Sequence, residues 1–487
     1  MDGTTDIAQI TDGDQFEQPD RPAYHYTPPS GWMNDPNGLV YFAGEYHLFY
    51  QHMIPSHWGH AVSEDLLHWT DLPIALAPDE RGFIASGSAV VDWNDTSGFF
   101  GGQPGLVAIF THWRDETQEQ SIAYSVDQGR TWTKFAGNPV VPNPGIRDFR
   151  DPKVMWHAPT QRWVMVVAVR DRVHFYVSPN LREWVFASEF GAEDGSHDGV
   201  WECPDLVELP VENVPELRKW TLHVSVNSPH GPTMQYFVGT FDGKHFVNEN
   251  DPTTTLWTDG GVDYYAAVTW ANLAPGDERR VWIGWLNNWV YAKRIPTLPW
   301  QGMMSIPRQL SLKRTSAGIH LVQRPIAELQ RLRGQAQTWT DQVLTPDHNL
   351  LAGVRGQHVE IVAELDPGAA TALGFNVRTG EAGRTTVSYD PQRASLSVDR
   401  NRSRVTNFAP AFPGTHTAFL PTSGRDSVKL HVFLDECSIE VFANDGDATI
   451  SDLIFPGRDC DQLEIFTQGR RAFLKSLAIY PLAESRE

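Results

Sequence analysis

Cysteine is scarce: Cys203, Cys437 and Cys460 are the only three in 487 residues. Three thiols exclude a disulfide framework as the basis of the fold, although Cys437 and Cys460 could pair. Long apolar runs are missing too. None approaches the ~20 residues of a membrane-spanning helix, and the polar, acidic stretch from Met1 to about Asp20 lacks the apolar centre of a secretion signal. Two localisations fit: a secreted protein whose signal is already removed, the favoured expectation, or a cytoplasmic one. Basic residues are outnumbered, with 39 Lys and Arg against 60 Asp and Glu and a net charge of −21. Such a balance speaks against nucleic acid and anionic membrane surfaces as partners and leaves a neutral substrate or a cation. Long helical periodicity is also absent. Gly (39) and Pro (34) cut the chain into short strand-like runs, so the expected class is all-β.

Aromatic residues are plentiful, with 18 Trp among them. Flat aromatic faces suit sugar rings, although most of these residues are expected in β cores.

One short stretch organises the chain. In Trp32-Met33-Asn34-Asp35-Pro36-Asn37-Gly38, a carboxylate sits among turn-forming residues. Pro36 drives Asp35 toward an extended backbone and Asn37-Gly38 accepts positive φ. Asp35 is therefore expected on a stiff turn at the mouth of the strand Leu39-Val40-Tyr41-Phe42. Related strand–turn–strand units recur, led by Ser88, Asp151, Glu202 and Asp263, at spacings of 53, 63, 51 and 61 residues from Asp35 onward. Five units fit a five-bladed β-propeller, whose first strands line the axis. Four of the five leading residues are carboxylates. Their convergence at one end of the axis would be costly, which favours function over structure.

The expected organisation is a disordered tail over 1–20, a propeller over 21–330, a linker over 331–344 and a β-sandwich over 345–487.

Two carboxyl groups flanking a glycosidic bond suffice to cleave it, one ionised and one protonated. Asp35 suits the ionised role. Glu202 suits the acid, framed by Trp201 and Cys203-Pro204. Asp151, beside Arg150, is expected to stay ionised and steady a positively charged sugar ring. Cys203 reads as a packing residue. His47, His52, His57 and His60 fall on strands and loops without a carboxylate cluster, which does not suggest a metal site.

Trp32-Met33-Asn34-Asp35-Pro36-Asn37-Gly38, Arg150-Asp151-Pro152 and Glu202-Cys203-Pro204, in that order, resemble the three signatures of glycoside hydrolase family 32, the family of invertases, exo-inulinases and levanases. The stretch from Leu434-Asp435-Glu436-Cys437 to Asn444-Asp445-Gly446 resembles its sandwich signature. The resemblance runs from about Tyr24 to the C-terminus. It implies a five-bladed propeller followed by a sandwich, with Asp35 as nucleophile, Glu202 as acid then base, and Asp151 as transition-state stabiliser. Trp32, Asn34, Gln51, Trp58, Ala85, Ser86, Arg150 and Asp263 match positions of the sugar pocket. No metal or organic cofactor is implied. Retention predicts carboxyls of Asp35 and Glu202 roughly 5–5.5 Å apart.

The chain departs from the family pattern at Ala85, where an aromatic is common, and at Gln301, where Arg is common. Ala85 is expected to open the pocket wall near the leaving group. The leading expectation is a retaining β-fructosidase acting on levan, inulin or sucrose. The alternatives are a levan fructotransferase forming a cyclic difructose anhydride and a non-catalytic sugar-binding propeller. The sandwich is open to three roles: bracing the propeller, binding polysaccharide or forming a homodimer.

Overall fold

The computed structural model describes residues 21–485 apart from 230, 232, 382 and 421–425. The tail expected over 1–20 lies outside the described residues. Five β-sheets follow one another along the chain. Their innermost strands are Gly31–Phe42, Phe83–Asp92, Phe149–His157, Val200–Pro210 and Tyr265–Thr269. Each lies beside the next, and the fifth returns to the first. These sheets are blades I to V of a propeller. A loop of blade V closes the ring: Trp300–Gln301 pairs in parallel with Gly31 and Trp32, and the Gly31 N–H donates to the Pro299 carbonyl at 2.7 Å.

The blades are built from tight hairpins. In blade I, Ala43 and Gly44 both have positive φ between paired Phe42 and Glu45. That two-residue turn matches the right-handed twist of the flanking strands.

A second regularity governs the site. In every blade, three steps along the innermost strand face two along its neighbour. The intervals are Met33 to Pro36, Ile84 to Gly87, Arg150 to Lys153, Glu202 to Asp205 and Tyr265 to Val268. Each is a β-bulge, which inserts one residue and re-aims the side chains around it. The bulges of blades III to V each hold a residue with positive φ: Asp151, Cys203 and Ala266.

The turn expected at Asn34–Gly38 is instead the interior of a strand that runs unbroken from Gly31 to Phe42. Bulges accommodate the turn-forming residues there. Gly38 has φ of +56°, and a Cβ on it would stand 2.6 Å from the Phe49 ring, so no side chain fits.

The C-terminal domain is a two-sheet sandwich of six and five strands. It begins earlier than the sequence suggested. Gln337–Leu344, placed in the linker, is an edge strand paired with Ala472–Pro481. Its mostly exposed polar side chains hide the strand from a hydrophobicity reading.

The sandwich signature binds the two domains. Asp435 accepts the backbone N–H groups of Ala23, Tyr24 and His25 and pairs with His25 Nδ1 at 2.6 Å. Glu440 meets His25 Nε2 at 2.9 Å, the Ile306 N–H at 2.9 Å and the Arg308 guanidinium. All these side chains are buried. Burial alone would lower the His25 pKa, but its hydrogen bonds to Asp435 and Glu440 raise it to about 9. The signature thus braces the propeller.

Candidate active site

Three of the five bulges, those of blades I, III and IV, bring Asp35, Asp151 and Glu202 together at one end of the axis. Asp35 is 8 % exposed and Asp151 6 %. Asp35 Oδ2 accepts from Ser86 Oγ at 2.7 Å, and its Oδ1 accepts from Asn34 Nδ2 at 2.9 Å. Asn34 is itself held by Trp32 Nε1 at 2.7 Å. Asp151 Oδ2 accepts the Cys203 N–H at 3.0 Å, and the Asp151 N–H donates to Thr111 Oγ1 at 3.0 Å.

Cys203 joins the two acids. Its Sγ lies 3.4 Å from Asp35 Oδ2 and 3.7 Å from Asp151 Oδ2. Burial, then the neighbouring carboxylates, push its thiol pKa well up, so it remains a protonated donor.

Glu202 has two partners. Arg150 donates to Oε1 at 2.8 Å and the Tyr265 hydroxyl donates to Oε2 at 2.6 Å. The apolar frame expected from Trp201 is absent there. Trp201 points to the other side of the strand, into the core with Phe237 and Val226, and donates its indole N–H to the Ser196 carbonyl.

Arg150 also behaves differently from its sequence neighbourhood. It reaches Glu202 and Asp148, the latter at 2.9 Å, whereas Asp151 stays 3.9 Å from its Nε. Burial therefore dominates at Asp151 over the opposing pull of Arg150, and with Glu202 and Asp35 nearby its pKa rises to about 7. The expectation of a comfortably ionised Asp151 does not hold in the free protein. Asp35 is raised as well, by burial and then by Glu202, against the hydrogen bonds from Ser86, Asn34 and Cys203.

The model of the glycosyl hydrolases family 32 N-terminal domain matches residues 25–325, and that of the family's C-terminal domain matches residues 328–481. The chain belongs to glycosyl hydrolase family 32. A levanase of Bacillus subtilis (strain 168) is 52 % identical over 98 % of this chain and 72 % of its own length. An extracellular exo-inulinase of Aspergillus awamori is 36 % identical over 98 % of this chain and 97 % of its own. The crystal structure of an exo-inulinase from that organism superposes with a TM-score of 0.89, at 34 % identity, over 97 % of this chain and all of the other. These neighbours agree with the propeller and sandwich found here.

For a family 32 chain, the residues matched by sequence pattern divide into two groups. Asn34, Asp35, Ser86, Arg150, Asp151 and Glu202 come together at the mouth. Trp32 stands beside them, stacked on Trp289 with ring centres 5.9 Å apart. Gln51 lies across the strand pair from the blade I bulge, accepts from Ser56 Oγ and leaves its buried Nε2 without a partner among the described residues.

Two positions depart from expectation. Trp58 is fully buried between blades I and II, packed on Phe49 and Phe110, and donates to the Ala85 carbonyl at 2.9 Å. Ala85, which accepts that bond, is 7 % exposed, about as buried as Asp35. Asp263 turns away to the sandwich, where it binds Arg400 at 2.5 Å, the Leu453 N–H at 2.8 Å and the Tyr291 hydroxyl. A base neutralises it, as for a structural carboxylate.

Tyr265 takes the place expected of Asp263. Sequence reading missed it because the units were aligned on acids. Aligning the bulges instead superposes Tyr265 on Glu202, Arg150, Ile84 and Met33 as the residue that opens each interval.

Proposed function

We propose that this protein is a retaining β-fructosidase that releases terminal fructose from fructans, with levan as the favoured polymer and inulin and sucrose as further substrates. The cluster of Asp35, Asp151 and Glu202 around Cys203 carries this reading. The 52 % identical levanase supports levan, and the exo-inulinase supports attack from a chain end.

In the first step, an Asp35 carboxylate oxygen attacks C2 of the terminal fructosyl unit. Glu202 gives a proton to the glycosidic oxygen as the C2–O bond breaks. In the second step, Glu202 takes a proton from water, water attacks C2, and the bond to Asp35 breaks. Ser86 and Asn34 aim Asp35, while Arg150 and Tyr265 hold Glu202. Asp151 stays out of covalent chemistry. Burial and the neighbouring Glu202 oppose ionisation of Asp35 and Asp151. Positive charge on the sugar ring relieves that repulsion at the moment it develops, which lowers the barrier. The unpaired Gln51 amide offers donors to a sugar hydroxyl.

The levanase and the exo-inulinase carry hydrolase names, which favours water over an internal hydroxyl as acceptor. The extracellular exo-inulinase supports secretion of this protein as well. Incubation with sucrose, inulin and levan, with products resolved by chromatography over time, tests the reading. Free fructose from the first minutes is expected. A non-reducing difructose from levan would establish transfer instead, and no product from any of the three would refute an enzyme of this class.

A further inference from the structure

Four of the five innermost strands, those of blades II to V, end at the other face of the propeller in a second cavity of about 580 Å³. It is lined from blades II to V and lies about five residues further along the strands, roughly 17 Å from the acids. A buried plug separates the two. Lys153 Nζ donates to the Thr269 carbonyl at 2.5 Å and pairs with Asp205 at 3.2 Å, and Asp205 also accepts the Thr269 N–H at 2.5 Å. The far cavity is therefore not a continuation of the catalytic pocket.

Its lining has the features of a sugar site. Trp93 is 57 % exposed at the rim, with its ring 6.1 Å from that of Phe42. Trp156 and Trp220, from blades III and IV, are half-buried. Among the described residues, the indole N–H groups of these three tryptophans have no acceptor. Arg280 gives NH1 to the carbonyls of Glu278 and Arg279, which leaves Nε and NH2 as further donors. Asn272 donates to the Tyr41 carbonyl at 2.8 Å and keeps its own oxygen as an acceptor. Flat apolar faces beside spare donors and acceptors match a ring that has C–H faces and hydroxyl edges.

Charge selects among ligands. Lys153 is matched by Asp205 and Glu208 by Arg218. Arg280 shares the lining with the exposed carboxylate of Asp242. With a chain charge of −21, an anionic polymer is disfavoured.

We propose that this far cavity is a second, non-catalytic binding site for a neutral fructan segment, an inference that rests on the fructosidase reading for the choice of sugar. It tethers the polymer while chain ends exchange at the catalytic mouth, which raises the local concentration of ends.

Affinity electrophoresis in levan-containing gels tests this, with Glu202→Gln as the background to stop turnover. Trp93→Ala in that background is expected to weaken levan retardation by roughly fivefold, and Trp93→Phe, which keeps a ring, to retain most of it. With Glu202 restored, Trp93→Ala should leave sucrose turnover unchanged and raise KM for levan. Because Trp93 is exposed, its loss spares the core, and an unchanged melting temperature checks this. Retardation unaffected by Trp93→Ala would overturn the second site. So would binding of inorganic phosphate, in place of levan, that is lost in Arg280→Gln. Fructose release by the unaltered protein keeps the two readings apart: release with Trp93-independent retardation refutes only the tether, whereas no release refutes the fructosidase.

Discussion

The Tyr265 hydroxyl donates to Glu202 Oε2 at 2.6 Å, from the position in blade V that Glu202 occupies in blade IV. Two equivalent places in successive bulges thus hold a carboxyl group and its orienting donor. Tyr265→Phe removes only that donor. Leaving a carboxyl oxygen without its donor costs roughly 1–3 kcal/mol, so kcat/KM should fall on the order of tenfold to a hundredfold. Initial rates on sucrose and levan check this, and a rate within twofold of the parent would deny Tyr265 a part in positioning Glu202.

Asp151 links activity to pH and stability. Its pKa of about 7 means that the fold prefers the neutral carboxyl, so stability is lost as the pH rises from 3.8, where the unfolded chain ionises, to about 7, and the full cost is present above that. Asp151→Asn should raise the thermal stability above pH 7, by up to ~4 kcal/mol as an upper bound, while lowering kcat by two orders of magnitude or more. The gain should shrink as the pH falls from 7 toward 3.8, below which the native aspartic acid is neutral in both states. Melting curves at pH 4.5 and 8 provide the comparison.

The acid limb of kcat/KM should lie above the 3.8 of an ordinary aspartate, because Asp35 and Asp151 are both raised. A pH–rate profile on sucrose reads this directly.

His25 makes the opposite linkage. It carries a proton in the fold up to about pH 9, whereas an unfolded histidine releases it near 6.5. Its stabilising contribution is whole below pH 6.5 and is lost as the pH rises through about 9. His25→Gln leaves Asp435 and Glu440 buried with less compensation and should cost roughly 3–5 kcal/mol at pH 6. The gap in melting temperature between parent and variant should narrow at pH 9 to 10.

Asp263 and Arg400 are both fully buried across the domain boundary. Asp263→Asn strands the guanidinium and should cost roughly 3–5 kcal/mol of stability. Sucrose turnover at a temperature where the variant is folded should stay within twofold, because Asp263 lies outside the mouth. A large loss of kcat there would return Asp263 to the sugar pocket.

Much of this was legible in the chain. Turn residues at regular intervals marked the blades, and acids in ordered motifs marked the mouth. What escaped depends on register. Tyr265 opens the bulge of blade V whereas Asp263 lies before the strand begins, and hydrophobic periodicity does not mark that boundary. Trp58 was placed in the sugar pocket by resemblance alone, because indole serves cores and sugars equally. Arg150 looked like the partner of Asp151 because sequence shows adjacency, whereas the bulge turns its guanidinium toward Glu202. Gln337–Leu344 looked like linker because an exposed edge strand need not be apolar.

The plug of Lys153, Asp205 and Thr269 makes the catalytic pocket a room with one door. Freed fructose cannot pass through the propeller, so it leaves only after the shortened chain has backed out. Every turnover empties the room. One fructosyl unit is therefore removed per binding of a chain end, and each release needs a new end to enter.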